Sequence, residues 1–126
     1  MVDKVVDASA IAAILFDELD SEVVSAVLAG AKLFAPPLLW FELTSVCLKK
    51  CRARPDERAG LYAAFARRSR LGVTEAAVDP DEVVRLAVAT GLSGHDASYL
   101  WLARQRGLEL VTLDQKLARV AAEEPT

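Results

Sequence analysis

The chain has 126 residues, 53% of them hydrophobic, and a formal net charge of −3. That length predicts one domain, residues 1–126, with a core that needs no disulfide or metal staple. The longest apolar runs, about seven residues against the ~18–20 needed to cross a bilayer, exclude a membrane helix, and the opening residues lack a secretory layout, so a cytoplasmic protein is expected.

The alternation of elements is legible in chain order. Residues 2–6 read as a short strand, and a helix follows from about Ser9 to Glu18. "DSEVVSAVLAG" predicts a second helix, capped by Asp20 or Ser21 and stopped by Gly30. "KLFAPP" is a strand ended by its prolines. A long helix is expected from Leu38 to about Arg52, and Pro55 is well placed to open another that runs to about Ser69. "LGVTEAAV" holds a third strand. In "DPDEVVRLAVATG", Asp79 is the cap, Glu82 completes a capping box and Gly91 closes the helix. "SGHDASYLWLARQRG" is a further capped helix, "LELVTLD" the last strand, and a short helix starts at Gln115. Strands alternating with helices predict an α/β fold with a mostly parallel sheet covered on both faces.

Cys47 and Cys51 stand four apart on one helix face. Their Cβ atoms would lie roughly 5–6 Å apart, beyond the ~3.5–4.5 Å of a disulfide, so reduced thiols are expected. With one histidine besides, a zinc site is not expected. Charge is unevenly spread. Residues 49–70 carry a net +6, from Lys49, Lys50, Arg52, Arg54, Arg58, Arg67, Arg68 and Arg70 against Asp56 and Glu57, and the rest of the chain carries −9. Such asymmetry fits either a polyanion or acidic partner on one side of the molecule or an ordinary solvated helical hairpin.

Four carboxylates stand where a charge is awkward. Asp7 and Asp114 each follow directly on a strand, which puts both at the carboxyl edge of a parallel sheet, where open α/β folds bind ligands. Each is also a good N-cap for the helix that follows, and Ser93 and Asp96 have capping-box spacing. Glu42 lies in "LLWFELTSVCL", an apolar helix with no basic residue one turn away, so it should meet a cation elsewhere or be protonated. Clustered acids need a counter-charge, and hard oxygen ligands suit Mg²⁺ or Mn²⁺. Ser93, His95 and Asp96 are too close in sequence to converge as a triad; His95 is expected partly exposed in a first helical turn. Trp40, Phe41, Tyr99 and Trp101 read as core or interface aromatics.

"VVDASAI", "FELTSV", "LSGHDASYLWLA" and "LVTLDQKLA" together resemble, in order and over essentially the whole chain, the successive motifs of PIN-domain ribonucleases. Among these the VapC-type toxins of toxin–antitoxin pairs are the most similar. The resemblance implies a three-layer PIN-like fold with four to five short strands. It also implies an Mg²⁺- or Mn²⁺-dependent endoribonuclease with Asp7, Glu42, Asp96 and Asp114 as its acidic quartet, catalytic and metal-binding. Ser9 and Thr112 match the family's supporting hydroxyl positions. Ala118 stands where some relatives carry a further acid. Lys49, Lys50, Arg52, Arg67, Arg68 and Arg70 would then suit RNA phosphates. A VapB-like antitoxin and, with the high apolar content, a homodimer are the implied protein partners. An antitoxin arginine could enter the acidic pocket. Three other readings compete. A PIN relative that binds RNA or a partner without cutting is disfavoured because the acidic quartet is intact. A PIN nuclease of RNA processing needs no toxin role. A phosphoacceptor signalling domain shares the length and the first aspartate, but it wants a Lys after the last strand and leaves Glu42 unexplained.

Overall fold

The computed structural model describes residues 2–123. Four three-residue strands, β1 (Lys4–Val6), β2 (Leu33–Ala35), β3 (Val73–Glu75) and β4 (Glu109–Val111), pair in the order β3-β2-β1-β4, all parallel. Val5 faces Phe34 on one side and Leu110 on the other. Successive strand residues point to opposite faces, and Val5 and Val6 are both fully buried. Both faces of the central strand are therefore covered, as the run of β-branched residues implies. The expected α/β class and strand count are borne out.

Among the described residues seven helices surround the sheet: α1 (Ala8–Leu15), α2 (Ser21–Leu28), α3 (Leu38–Ala53), α4 (Arg58–Ala66), α5 (Pro80–Thr90), α6 (Gly94–Arg106) and α7 (Gln115–Ala122). The main core joins β1, β2, α1, α3 and one side of α6, through residues such as Ile11, Leu39, Leu43 and Leu102. A second core joins α5, α6 and α7 through Val83, Leu100 and Leu117. Burying each of these large side chains stabilises the fold by about 1.5–3 kcal/mol. Cys47 and Cys51 are free, buried thiols between α3 and α4, packed with Leu61, as their spacing requires. Among the described residues no helix is long and apolar enough to cross a membrane.

Three local expectations need correction. The helix opened by Pro55 is not continuous: Pro55–Glu57 and Arg67–Arg70 are single 3-10 turns on either side of α4. A tight 3-10 turn commonly ends a helix, and here it satisfies a terminal carbonyl where Arg68 also donates to the Phe65 carbonyl. Glu82 does not close a capping box; its carboxylate accepts from the Trp101 indole at 2.9 Å, while Asp79 alone caps α5. Asp20 stands at the start of α2 without a side-chain cap bond. The glycine stops hold: Gly91 and Gly107 take left-handed φ values of 76° and 66° after α5 and α6.

Candidate active site

The carboxyl edge of the sheet gathers the acidic positions. Asp7 leaves β1 directly and is 4% exposed. Burying a carboxylate is costly unless its oxygens are hydrogen-bonded. Three donors meet it. Ser9 Oγ donates to Oδ1 at 2.7 Å, the Ala10 backbone N–H donates to the same oxygen at 3.1 Å, and Thr112 Oγ1 donates to Oδ2. Ser9 Oγ in turn accepts the Leu113 backbone N–H at 2.8 Å, and Thr112 Oγ1 accepts that of Asp114 at 3.0 Å. The two hydroxyls thus tie the end of β1 to the loop after β4, two segments far apart in sequence. Asp114 caps α7 by accepting the Leu117 N–H at 2.8 Å.

Glu42, in the second turn of α3, is held from another direction. Tyr99 Oη donates to its Oε1 at 2.5 Å, and His95 Nδ1 lies 3.7 Å from its Oε2. Tyr99 is 1% exposed and reaches across from α6. The chain therefore meets the buried-acid problem of Glu42 with a phenol and an imidazole rather than with Lys or Arg. Tyr99, read from sequence as a core aromatic, is a functional neighbour that sequence reasoning missed. Its signal was its place one helical turn after Asp96, which puts both on the inner side of α6. Asp96 begins α6, and Ser93 caps that helix by accepting the Asp96 backbone N–H at 3.1 Å.

Electrostatics joins the four acids. Burial raises the Asp7 carboxyl above its ordinary range, opposed by the hydrogen bonds from Thr112, Ser9 and Ala10, and Asp114 pushes it up further. Glu42 is raised by burial; Tyr99 and His95 pull it down, while Asp7 and Asp96 add to the rise. Asp96 is raised by burial and then by Asp114 and Asp7, against His95 and Lys116. The Tyr99 phenol is pushed up by burial and by Glu42, which keeps it a proton donor. Asp114 thus acts on Asp7 and Asp96, and these two act on Glu42, so the four acids are linked through shared neighbours. Among the described residues none of them forms a salt bridge with Lys or Arg.

The donor set has the chemistry of a hard divalent cation site. It is not a closed cage: among the described residues no three His, Cys, Asp or Glu side chains are arranged to hold one ion. Asp7 and Glu42 are instead engaged each by its own hydroxyl donors.

The family profile described as PIN domain matches residues 4–123. The chain belongs to the PIN domain family. A curated relative named Exonuclease VapC9, from Pyrobaculum aerophilum, is 54% identical over 37 residues, a stretch that is 29% of this chain and 28% of that protein. The match thus spans well under half of that relative's length. In three dimensions the chain is similar to the crystal structure of PAE2754 from Pyrobaculum aerophilum, with a TM-score of 0.74 and 31% identity over 94% of this chain and 84% of that one. The PIN-like fold expected from the sequence motifs is borne out.

The basic residues fall into two groups. Lys49, Arg52, Arg67 and Arg70 are exposed on α3 and the turn after α4. Lys50 is already engaged: its ammonium meets Glu18 at 2.5 Å and lies over the Phe16 ring. Arg68 stacks on Phe65, 4.3 Å from the ring centre, and donates to its carbonyl.

Proposed function

We propose that this PIN domain is a divalent-metal-dependent nuclease that cuts internal phosphodiester bonds of RNA and acts as the toxin of a toxin–antitoxin pair. The observation that carries the nuclease reading is the shared field of Asp7, Glu42, Asp96 and Asp114 at the carboxyl edge of a parallel sheet, with no Lys or Arg among the described residues paired to any of them. Membership of the PIN family and a relative named as a VapC exonuclease support it.

The same four residues would hold Mg²⁺ or Mn²⁺. Mg²⁺ commonly keeps several waters and takes only one or two carboxylates directly, so an open group of acids fits it without a closed cage. When bound, the ion supplies Lewis acidity, activating water for in-line attack and stabilising charge on the phosphoryl group. The protein's part is positioning. Ser9 and Thr112 fix both oxygens of Asp7, and Tyr99 orients Glu42. No side-chain nucleophile is required. Exposed Lys49, Arg52, Arg67 and Arg70 would neutralise RNA phosphates beside the acids. A VapB-like antitoxin with an arginine directed at the acids, a homodimeric assembly and a cytoplasmic setting complete the proposal.

Asp7→Asn or Asp96→Asn should each reduce Mg²⁺- or Mn²⁺-dependent RNA cleavage by more than about a hundredfold, since even outer-shell partners of a metal cost 10–100-fold. EDTA should do the same to the wild type. A circular RNA settles the mode of attack: an endonuclease linearises it, whereas an exonuclease leaves it intact. Expression alone should slow growth, and co-expression of the cognate partner should restore it. Cleavage that survives both EDTA and Asp7→Asn overturns the metal mechanism; full activity with harmless expression favours RNA processing.

A further inference from the structure

Phe41, one of the aromatics read as core or interface, is 75% exposed and so lies outside the core. A lone exposed aromatic is ordinary, but this one stands next in sequence to Glu42. Phe41, Glu42 and Ser45 line a recess of about 130 Å³ with Leu38 and His95. The His95 side chain is itself 72% exposed. Glu42, Ser45 and His95 also line an adjoining recess of about 320 Å³ that extends to Lys49. Phe41, Ser45 and Lys49 recur every four residues, so they form one stripe along α3. Two exposed aromatic rings therefore border the groove beside one of the four acids, and an exposed ammonium stands at its far end.

We infer that this groove seats one unpaired nucleobase of the substrate strand, stacked on Phe41 with His95 on its other side, while Lys49 takes a neighbouring phosphate. The inference rests on the nuclease reading above, whose substrate it specifies. A base fits the chemistry of the walls. Its π face matches the rings, and a donor on its polar edge can reach the Ser45 hydroxyl, whose own proton goes to the Phe41 carbonyl at 3.3 Å. An apolar peptide side chain would match the rings but bring no anionic group to Lys49. Charge places the neighbouring phosphate: without a metal the acids repel it, and the basic wall of the groove lies at the Lys49 end, continuous with the basic stretch of α3. Single-stranded RNA is read in this manner, by bases splayed onto aromatic side chains.

The test pairs Phe41 variants with abasic substrates. An unstructured RNA oligomer, end-labelled with a fluorophore, is compared with versions carrying one abasic residue at each position around the cut. Cleavage with Mn²⁺ over a range of RNA concentrations gives KM and kcat, and anisotropy in EDTA gives affinity without cleavage. In wild type, one abasic position should raise KM and Kd about tenfold with kcat little changed. Phe41→Ala should produce the same loss on intact RNA and no further loss on that abasic substrate. Phe41→Trp should retain wild-type behaviour. Phe41→Leu, which keeps the bulk without the π face, should behave as Phe41→Ala and guards against a folding artefact. Losses that multiply, or an unchanged KM and Kd in Phe41→Ala, overturn the inference. Wild-type protein that cleaves nothing, yet shows the coupling in EDTA, removes the catalytic reading and leaves the base pocket standing. Normal cleavage without coupling does the reverse. If Phe41→Ala loses only neutralisation by the antitoxin, the groove is a protein-docking surface and the inference fails.

Discussion

Thr112→Val is the most direct probe of how the fold holds a buried acid. Valine keeps the shape of threonine and deletes one hydroxyl. In the structure that hydroxyl donates to Asp7 Oδ2, accepts the Asp114 N–H at 3.0 Å and lies 3.3 Å from Ser9 Oγ. The Asp114 amide is near solvent, so its loss is minor; the cost falls on Asp7, 4% exposed, which keeps only Ser9 and Ala10 as donors. A hydrogen bond to a charged group contributes about 1.5–3 kcal/mol, so a loss near 2 kcal/mol is expected at neutral pH. At roughly 4 °C per kcal/mol for a domain of this size, Tm should fall by ~8 °C. The sign with pH follows from Asp7. Its folded carboxyl already stands above the ordinary value because of burial, and Thr112 is the largest influence pulling it down. Without the hydroxyl it rises further. A raised acid loses native stability as pH climbs from the unfolded value through the folded one. The variant therefore keeps losing stability to a higher pH than wild type, and the gap between them widens once pH passes the wild-type folded value, above the ordinary carboxylate range. Melts in EDTA from acid to neutral pH, with Thr112→Ser as control, measure it. A Thr112→Val protein that melts with wild type at neutral pH, or a gap of constant size at every pH, refutes the role given to the hydroxyl.

Two further expectations use the same geometry. Asp114→Asn keeps the cap on α7, since Asn caps about as well as Asp, and relieves the push on Asp7 and Asp96. It should melt higher than wild type in EDTA and lower once Mg²⁺ is added, because ligand at a hundredfold excess over Kd stabilises the native state by ~2.7 kcal/mol; identical responses to Mg²⁺ would remove Asp114 from the shared site. Arg67→Ala and Arg70→Ala should each weaken RNA binding and lower the salt slope by about 0.7 for every phosphate no longer neutralised. Lys50→Ala, which breaks the tie to Glu18, should instead cost up to ~1 kcal/mol of stability with the slope unchanged.

The strands, the helix stops and the carboxyl-edge position of Asp7 and Asp114 were legible because each rests on local chemistry. β-branched runs make strands, glycines tolerate positive φ, and a carboxylate after a strand caps the helix that follows. Capping and site membership had to be weighed as alternatives from the sequence. In the structure Asp7 and Asp114 both cap their helices, and Asp114 also pushes up the Asp7 carboxyl, so capping leaves room for an electrostatic role. What was not legible is pairing across elements. Tyr99 and Glu42 are 57 positions apart, and nothing in either local pattern points to the other. Glu82 looked like half of a capping box because the spacing was right, but a tertiary partner, the Trp101 indole, outcompeted the backbone. Phe41 could be read only as core or interface because its neighbours are apolar; the buried residues beside it are Leu39 and Leu43.

These cross-element pairs explain why a charge stands where two apolar elements meet. Asp7 is held by Thr112 from the far side of β4, and Glu42 is held by Tyr99 from α6. Ser9 and the Ala10 amide hold one Asp7 oxygen locally, but its other oxygen and Glu42 take their donors from distant elements, so both acids are fully held only when those elements have packed. The donors differ from Lys or Arg in one important respect. A hydroxyl hydrogen-bonds a carboxylate without cancelling its charge, so each acid is oriented while the field of the group stays negative. A lysine in the place of Tyr99 would hold Glu42 more firmly and would also neutralise it. The use of serine, threonine and tyrosine at these positions therefore keeps the edge attractive to a cation, at the cost of carboxyl groups that burial and mutual repulsion push toward protonation.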